Sequence, residues 1–301
     1  MKIWRPSLRI PRPSVRIPRL NLRMPHRDAK PADVYLPEAE EVMRNAARTF
    51  SIASRLLPAT VRQDVVLLYL VLRTLDDLVD QQNPAAVEAL AAVETWLVTG
   101  EAPTRETVIL QDLSNRYPLP RPAIAAFLQG MRDDLSPPQI QTEGDLDVYC
   151  YRVAGVVGEL MASILGVWHD NAWNAARSLG SAMQRTNILR DVDEDLGNGR
   201  IYLAADTLAR FGITDLATQD RTELYRDQIA RAESLYDQGL AGVPMLIHGG
   251  RSVAAAGAMY REILYEIRRG GYGAGRTRSV VSRPRKALLV ARAFARPKRS
   301  S

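Results

Sequence analysis

The chain has 301 residues, 46% apolar and 25% charged, the balance of a globular protein large enough for one big domain or two modest ones. Its longest unbroken apolar run is Val65–Leu72, far short of the roughly 20 residues of a spanning helix, so an integral membrane protein is not expected. A single cysteine, Cys150, excludes a disulfide framework and a multi-thiolate zinc site, and His26, His169 and His248 show no metal-ligand spacing.

The net charge of +6 averages three unlike parts. Residues 1–30 carry nine Lys/Arg against the single acid Asp28, and residues 268–301 carry eleven with no acid. The stretch between holds 20 basic and 33 acidic residues. Basic ends suit an anionic surface, whether phospholipid headgroups or nucleic acid. An acidic body argues against nucleic acid in the central site, and none is expected as a partner.

The N-terminus repeats with a period of seven: Arg5-Pro-Ser-Leu-Arg-Ile-Pro11, Arg12-Pro-Ser-Val-Arg-Ile-Pro18 and Arg19-Leu-Asn-Leu-Arg-Met-Pro25. Proline in every repeat defeats a coiled coil by breaking helical hydrogen bonds and extending the residue before it. No secretory apolar region forms either. Residues 1–36 are therefore expected to be a disordered basic arm. It is either a solvated tail or a peripheral membrane anchor, with Leu8, Ile10, Val15 and Ile17 dipping between the headgroups.

From residue 37 to 296 the pattern predicts one all-α domain, followed by a basic tail at 297–301. Apolar residues recur at helical steps over 38–57, 60–82, 120–135, 145–168, 172–197, 221–247 and 251–269. Stops fall at Asn83-Pro84, Gly100, Pro118, Pro137-Pro138 and Gly197. No run of alternating strands is apparent.

Two of these helices carry spaced acids. Asp76 and Asp80 are four residues apart, so their carboxylates share a helix face just beyond the apolar run Val65–Leu72. Asn187, Asp191 and Asp195 succeed one another at the same step, with Ile188, Leu189, Val192 and Leu196 on other faces. Oxygen donors without His or Cys suit a hard cation, and Mg²⁺ in particular is commonly shared with substrate phosphates. Arg73 and Arg190 lie within a turn of these acids and suit phosphate oxygens. The bland alternative is a salt-bridge network between the two helices.

Other features are read with their alternatives. Gly270-Gly-Tyr-Gly-Ala-Gly275 comes after a helix and lacks the lysine of a phosphate loop, so a flexible connector is expected. Arg283 to Arg299 reads as an amphipathic helix, packed on the domain or lying on membrane. The small residues of Val153-Ala-Gly-Val-Val-Gly158 serve close helix packing or leave room for a ligand chain. Trp96, Trp168 and Trp173 read as core or rim residues.

Asp76-Asp-Leu-Val-Asp80, Asn187-Ile-Leu-Arg-Asp-Val-Asp-Glu-Asp195 and Gly199-Arg-Ile-Tyr-Leu203 together resemble the squalene/phytoene synthase family. Arg48-Thr-Phe-Ser51, Leu56-Leu-Pro58, Gly130-Met-Arg-Asp-Asp134, Tyr149-Cys-Tyr-Arg-Val-Ala-Gly-Val-Val-Gly158 and Tyr260-Arg-Glu-Ile-Leu264 extend the likeness over about residues 40–295. The resemblance implies an all-α isoprenoid-synthase fold around a central cavity and Mg²⁺-dependent head-to-head joining of two prenyl diphosphates, with Mn²⁺ as a substitute. Asp76, Asp80, Asn187, Asp191 and Asp195 would then hold metal. Tyr69, Tyr151 and Tyr260 would steer carbocations, and Arg48, Phe50, Arg73, Gln184, Arg190 and Arg278 would bind substrate. Arg276 competes with Arg278 for the place over a diphosphate. Arg200-Ile-Tyr-Leu203 looks more like the phytoene branch, which implies geranylgeranyl diphosphate as substrate and no nicotinamide requirement; farnesyl diphosphate and a presqualene or squalene product are the alternative, beside a non-catalytic lipid- or partner-binding protein. A cytoplasmic protein, peripheral on the inner membrane face, is expected. Arg185 departs from the family's usual apolar residue, facing either outward or into the pocket.

Overall fold

The computed structural model describes residues 30–136, 139–276 and 278–295, and these described residues form thirteen α-helices. The side chains of residues 48, 294 and 295 fall outside that description. The first helices are α1 (Leu36–Ala46), α2 (Arg48–Ser54), α3 (Ala59–Asp80), α4 (Ala86–Thr99), α5 (Arg105–Arg116) and α6 (Arg121–Asp133). Then come α7 (Glu143–Cys150), α8 (Val156–Leu165), α9 (Asn171–Gly197), α10 (Ala205–Arg210), α11 (Thr222–Ala241), α12 (Gly250–Arg269) and α13 (Arg283–Ala295). Among the described residues the β pairing is one isolated bridge, Val167 with Leu246.

The periodic segments differ from these helices in instructive places. The segment 38–57 is two helices, because Ala47 leaves helical geometry at φ −126° and ψ 66°. Helices α4 and α5 lie outside the periodic segments. The first is apolar almost all round, burying Ala86, Leu90, Val93 and Trp96, so it has no stripe to detect. The second begins at Thr104, which makes a reciprocal cap with Thr107, contributing about 1 kcal/mol. The segment 145–168 is interrupted by a π-helical turn at Tyr151–Gly155, where the Val156 N–H donates to the Tyr151 carbonyl. The arm expected over 1–36 ends early: Pro31–Tyr35 form a 3-10 turn, Ala32 is fully buried and Lys30 pairs with Asp64 at 3.7 Å. Residues 1–29 and 296–301, with the expected disordered arm and tail, lie outside the described residues.

Among the described residues packing centres on two large apolar bodies, with a smaller third under α13. One joins α1, α3–α6 and α8, centred on Leu67, Leu68, Leu70, Leu90 and Trp96. The other gathers α7 and α9–α12 around Tyr225, Tyr236 and Leu264. Helix α9 runs through the middle, against α7, α8, α11 and α12. It meets the helical stretch before it at van der Waals limits. A Cβ on Gly158 would stand 2.2 Å from the Ala176 carbonyl oxygen, and one on Gly180 2.2 Å from that of Ala154. The stretch Glu143–Leu165 is long and apolar enough to cross a bilayer by length and composition, unlike the expectation from unbroken apolar runs. Here Cys150, Val156 and Leu160 are wholly buried in the cores.

The C-terminal amphipathic segment packs on the domain. Helix α13 buries Leu289 against Ala53, Ala255, Ala256 and Met259 while Leu288 stays exposed. Trp96 is core, its indole donating to Gln111 at 2.9 Å, whereas Trp168 is exposed and donates to the Pro244 carbonyl. The glycine-rich stretch after α12 is a built turn rather than a loose connector. Gly271 and Gly273 both sit at φ +81°, and a Cβ on Gly273 would come within 2.9 Å of the Tyr225 ring.

Candidate active site

Helix α3 buries Val65–Leu68 and Leu70–Leu72, which fixes its rotation and turns Tyr69, Arg73, Asp76 and Asp80 to one side. Arg73 donates to Asp76 at 3.0 Å and also binds Asp77. On α9 the core residues Ile188, Leu189 and Val192 leave Gln184, Asn187, Asp191 and Asp195 on the shared face. Arg190 folds onto its neighbour Asp191, with Nε at 2.9 Å.

The ends of the two stripes meet at Arg200. Burial, and then the charge of Asp80, raise the Asp76 carboxyl to about 7. Burial raises Asp195 to about 7 as well, with further contributions from Asp191 and Glu194 and, more weakly, from Asp80 across the site. Asp134 rises to about 6, again mainly through burial, although Tyr149 and Tyr202 donate to it. Arg200 joins these groups: its main-chain N–H donates to the Asp195 carbonyl at 2.8 Å, and its guanidinium reaches Asp80 at 3.5 Å and the Asp134 carbonyl at 3.4 Å. Asp134, Tyr149, Arg200 and Tyr202 are not singled out by sequence spacing, although all four stand inside the motifs that carry the resemblance.

Below the carboxylates lies a cavity of about 280 Å³ between α2, α3, α8, α9 and α12. Tyr69, Gln184, Asn187 and Tyr260 line its polar end, and the remaining wall is mostly apolar, with Phe50, Val157 and Met161 among its residues. The rings of Phe50 and Tyr260 lie 5.3 Å apart, tilted by 37°. Burial keeps both tyrosines protonated, pushing Tyr69 up to about 12 and raising Tyr260 against the opposing Arg190. Ala154 and Gly158 line the cavity as well as pack against α9, whereas Gly155 meets Tyr151 and Ser181 instead.

Three expectations are corrected or narrowed. Tyr151 is not among the residues lining the cavity; its ring lies 6.0 Å from the Arg177 guanidinium. The π-helical turn explains this, because its extra residue rotates the α7 end of the stretch relative to α8. Arg185 points neither outward nor into the pocket: it is 3% exposed and donates to Asp147 (2.7 Å), Gln228 (2.9 Å) and Glu143 (3.0 Å), tying α9 to α7 and α11. Of the two late arginines, Arg278 reaches the site, with Nε 2.9 Å from Asp191 and Nη1 3.5 Å from Glu194. Arg48 opens α2, and its side chain lies outside the described residues.

The donor set fits a hard divalent cation. The Asn187 amide donates to Gln184 at 3.3 Å, yet its Oδ1 is buried without a partner. Such an orphan costs about 1–3 kcal/mol, a cost that a bound cation would remove. Crowded carboxylates raised toward neutrality are likewise relieved by positive charge. Among the described residues no three of Asp, Glu, His or Cys are gathered closely enough to chelate an ion alone.

Comparison with known proteins places this geometry. The squalene/phytoene synthase family model matches residues 43–285. Phytoene synthase of Thermus thermophilus is 36% identical over 261 residues, covering 84% of this chain and 90% of that one. Phytoene synthase 2, chloroplastic, of Solanum lycopersicum is 33% identical over 275 residues, covering 85% and 88%. The crystal structure of a dehydrosqualene synthase in complex with ligand superposes with a TM-score of 0.78 at 29% identity, covering 88% of this chain and 96% of that one. With the two carboxylate stripes standing over an apolar cavity in an all-helical fold, the chain belongs to the squalene/phytoene synthase family.

Proposed function

We propose that this prenyltransferase joins two geranylgeranyl diphosphates head to head, giving phytoene through prephytoene diphosphate in carotenoid or isoprenoid biosynthesis. The observation that carries the reading is the pair of carboxylate stripes joined at Arg200, at the polar end of an apolar cavity. Its likeness to phytoene synthases from a bacterium and a plant supports the C20 substrate.

Mg²⁺, or Mn²⁺ in its place, bound by Asp76, Asp80, Asn187, Asp191 and Asp195 would draw charge from the allylic diphosphate and promote its departure. Arg73, Arg190 and Arg278 stand beside those carboxylates and exchange them for diphosphate oxygens. Tyr69 and Tyr260, protonated and edged by Phe50, present π faces and hydroxyls to the allylic cation. The alkene of the second substrate attacks that cation, and loss of a proton closes the cyclopropane. Departure of the second diphosphate, rearrangement and a final proton loss yield the triene core of phytoene. The apolar walls hold both chains and keep water from the cations.

A fourth isoprene unit buries about five more carbons than farnesyl, at about 0.8 kcal/mol for each buried CH₂, so the cavity's depth decides the substrate. Incubation with labelled C15 and C20 diphosphates and Mg²⁺, with and without NADPH, tests the reading. Phytoene from the C20 substrate without NADPH is expected. A kinetic preference for farnesyl diphosphate, with presqualene diphosphate or squalene accumulating, would transfer the protein to the squalene branch. The basic ends support an accompanying proposal, that the enzyme works in the cytoplasm, peripherally attached to an anionic membrane surface.

A further inference from the structure

We propose that Arg221 is a positioning residue that sets the connection between α12 and α13 so that Arg278 reaches the diphosphate. The inference rests on the diphosphate-binding reading above and adds to it a buried clamp outside the cavity.

Arg221 stands at the N-cap position of α11, makes no side-chain capping bond there and is 3% exposed. One of its guanidinium nitrogens donates to both oxygens of Asp193, at 3.0 and 3.1 Å, and to the Gly273 carbonyl at 3.1 Å. The other nitrogen lies 3.0 Å from Asp193 as an ion pair but makes no hydrogen bond. A buried guanidinium is costly unless matched by opposite charge, and Asp193 with the Gly273 carbonyl supplies that match through one nitrogen. Asp193 lies on α9 between Asp191 and Asp195 but on a different face of the helix. Helix α9 thus holds the connection at two places: Asp193 takes it at Gly273 through Arg221, and Asp191 and Glu194 take it at Arg278.

The local backbone makes that hold specific. Gly273 adopts φ +81° and lies against the Tyr225 ring, over which Arg221 also sits at 5.6 Å. Past Arg278 the chain is fixed again by Val281, which is buried in the α9–α12 core. Arg278, half exposed between these two anchors, is the charge that faces the site, paired with Asp191 and Glu194. If the first anchor is lost, Arg278 keeps its charge and loses its placement. That separates a positioning role from a binding one.

The test measures binding of inorganic diphosphate with Mg²⁺ to the full chain by titration calorimetry, for wild type, Arg221→Ala, Arg278→Ala and the double variant. Arg221→Ala should weaken binding on the order of tenfold, a size typical of coupling between sites. In the Arg278→Ala background it should cause no further loss. Equal affinity of wild type and Arg221→Ala, or losses that multiply in the double variant, would overturn the proposal. Should Arg221→Ala fail to fold by circular dichroism, Asp193→Asn opens the same clamp from its other side, and the same pattern is expected. A wild-type chain that binds no diphosphate with Mg²⁺ would remove both the functional reading and this inference.

Discussion

At the scale of single residues, the site trades stability for function. Asp76 and Asp195 have folded-state carboxyls near 7 because they are partly buried among like charges, whereas an unfolded aspartate titrates near 4. The folded chain therefore binds these protons more tightly than the unfolded one. Their contribution is a penalty above about pH 7 that is relieved as the pH falls toward about 4. Without divalent metal, the melting temperature should rise when the pH is lowered from 8 to about 6, and diphosphate with Mg²⁺ should flatten that dependence. Asp76→Asn should melt higher than wild type at pH 8 without metal, at roughly 2–4 °C per kcal/mol, yet lose about two to three orders of magnitude in turnover. Asp191→Asn should lose turnover similarly with its helical circular dichroism unchanged. Full activity in EDTA, or in both variants, would contradict the metal-cluster mechanism.

At the scale of elements, the helices that carry chemistry are the most legible. Helices α3 and α9 are long, with apolar faces that set which way Asp76, Asp80, Asn187, Asp191 and Asp195 must point. The π-helical turn at Tyr151–Gly155 leaves no mark in composition, because slipping one hydrogen bond needs no particular residue. For that reason the motif alone puts Tyr151 at the cavity, whereas the folded chain sets it beside Arg177. Arg185 is hard to place from sequence for a related reason: its partners Glu143, Asp147 and Gln228 come from two other helices, and sequence spacing cannot bring them together. The glycines at the α8–α9 crossing have a more definite reading. Gly158→Ala and Gly180→Ala force a Cβ against backbone oxygen, and overpacking of this kind costs about 1–3 kcal/mol. Denaturant melts should show that loss for each variant, whereas Gly197→Ala, where a Cβ meets nothing within 4 Å, should not.

For the whole molecule, charge is arranged by region: an acidic body between two basic ends. Helix α13 continues that pattern, bringing Arg283, Arg285, Lys286 and Arg292 onto the domain without a single acid. Deleting residues 1–29 should leave turnover nearly intact and weaken sedimentation with anionic vesicles, most visibly at low salt, where screening is least. Equal vesicle binding by the truncated chain would show that the arm is not the attachment element. The division of labour also explains why net charge alone is a poor guide to partners: the mean of +6 describes none of the three parts.

The arginine–carboxylate pairs inside the site have a consequence for the order of events. Arg73 on Asp76, with Arg190 and Arg278 on Asp191, means that these two carboxylates are already paired in the resting site, while Asp195 stands among the like charges of Asp191 and Glu194. A lone cation must displace arginines that then have nowhere to go, and a lone diphosphate must pull them from carboxylates that then stand bare. Arriving together, the two ligands exchange partners without leaving any charge unmatched. Each should therefore raise the other's affinity by the same factor. Inorganic diphosphate with Mg²⁺ would find the same partners, so it should inhibit turnover more strongly than either ligand alone, a comparison that steady-state rates can make.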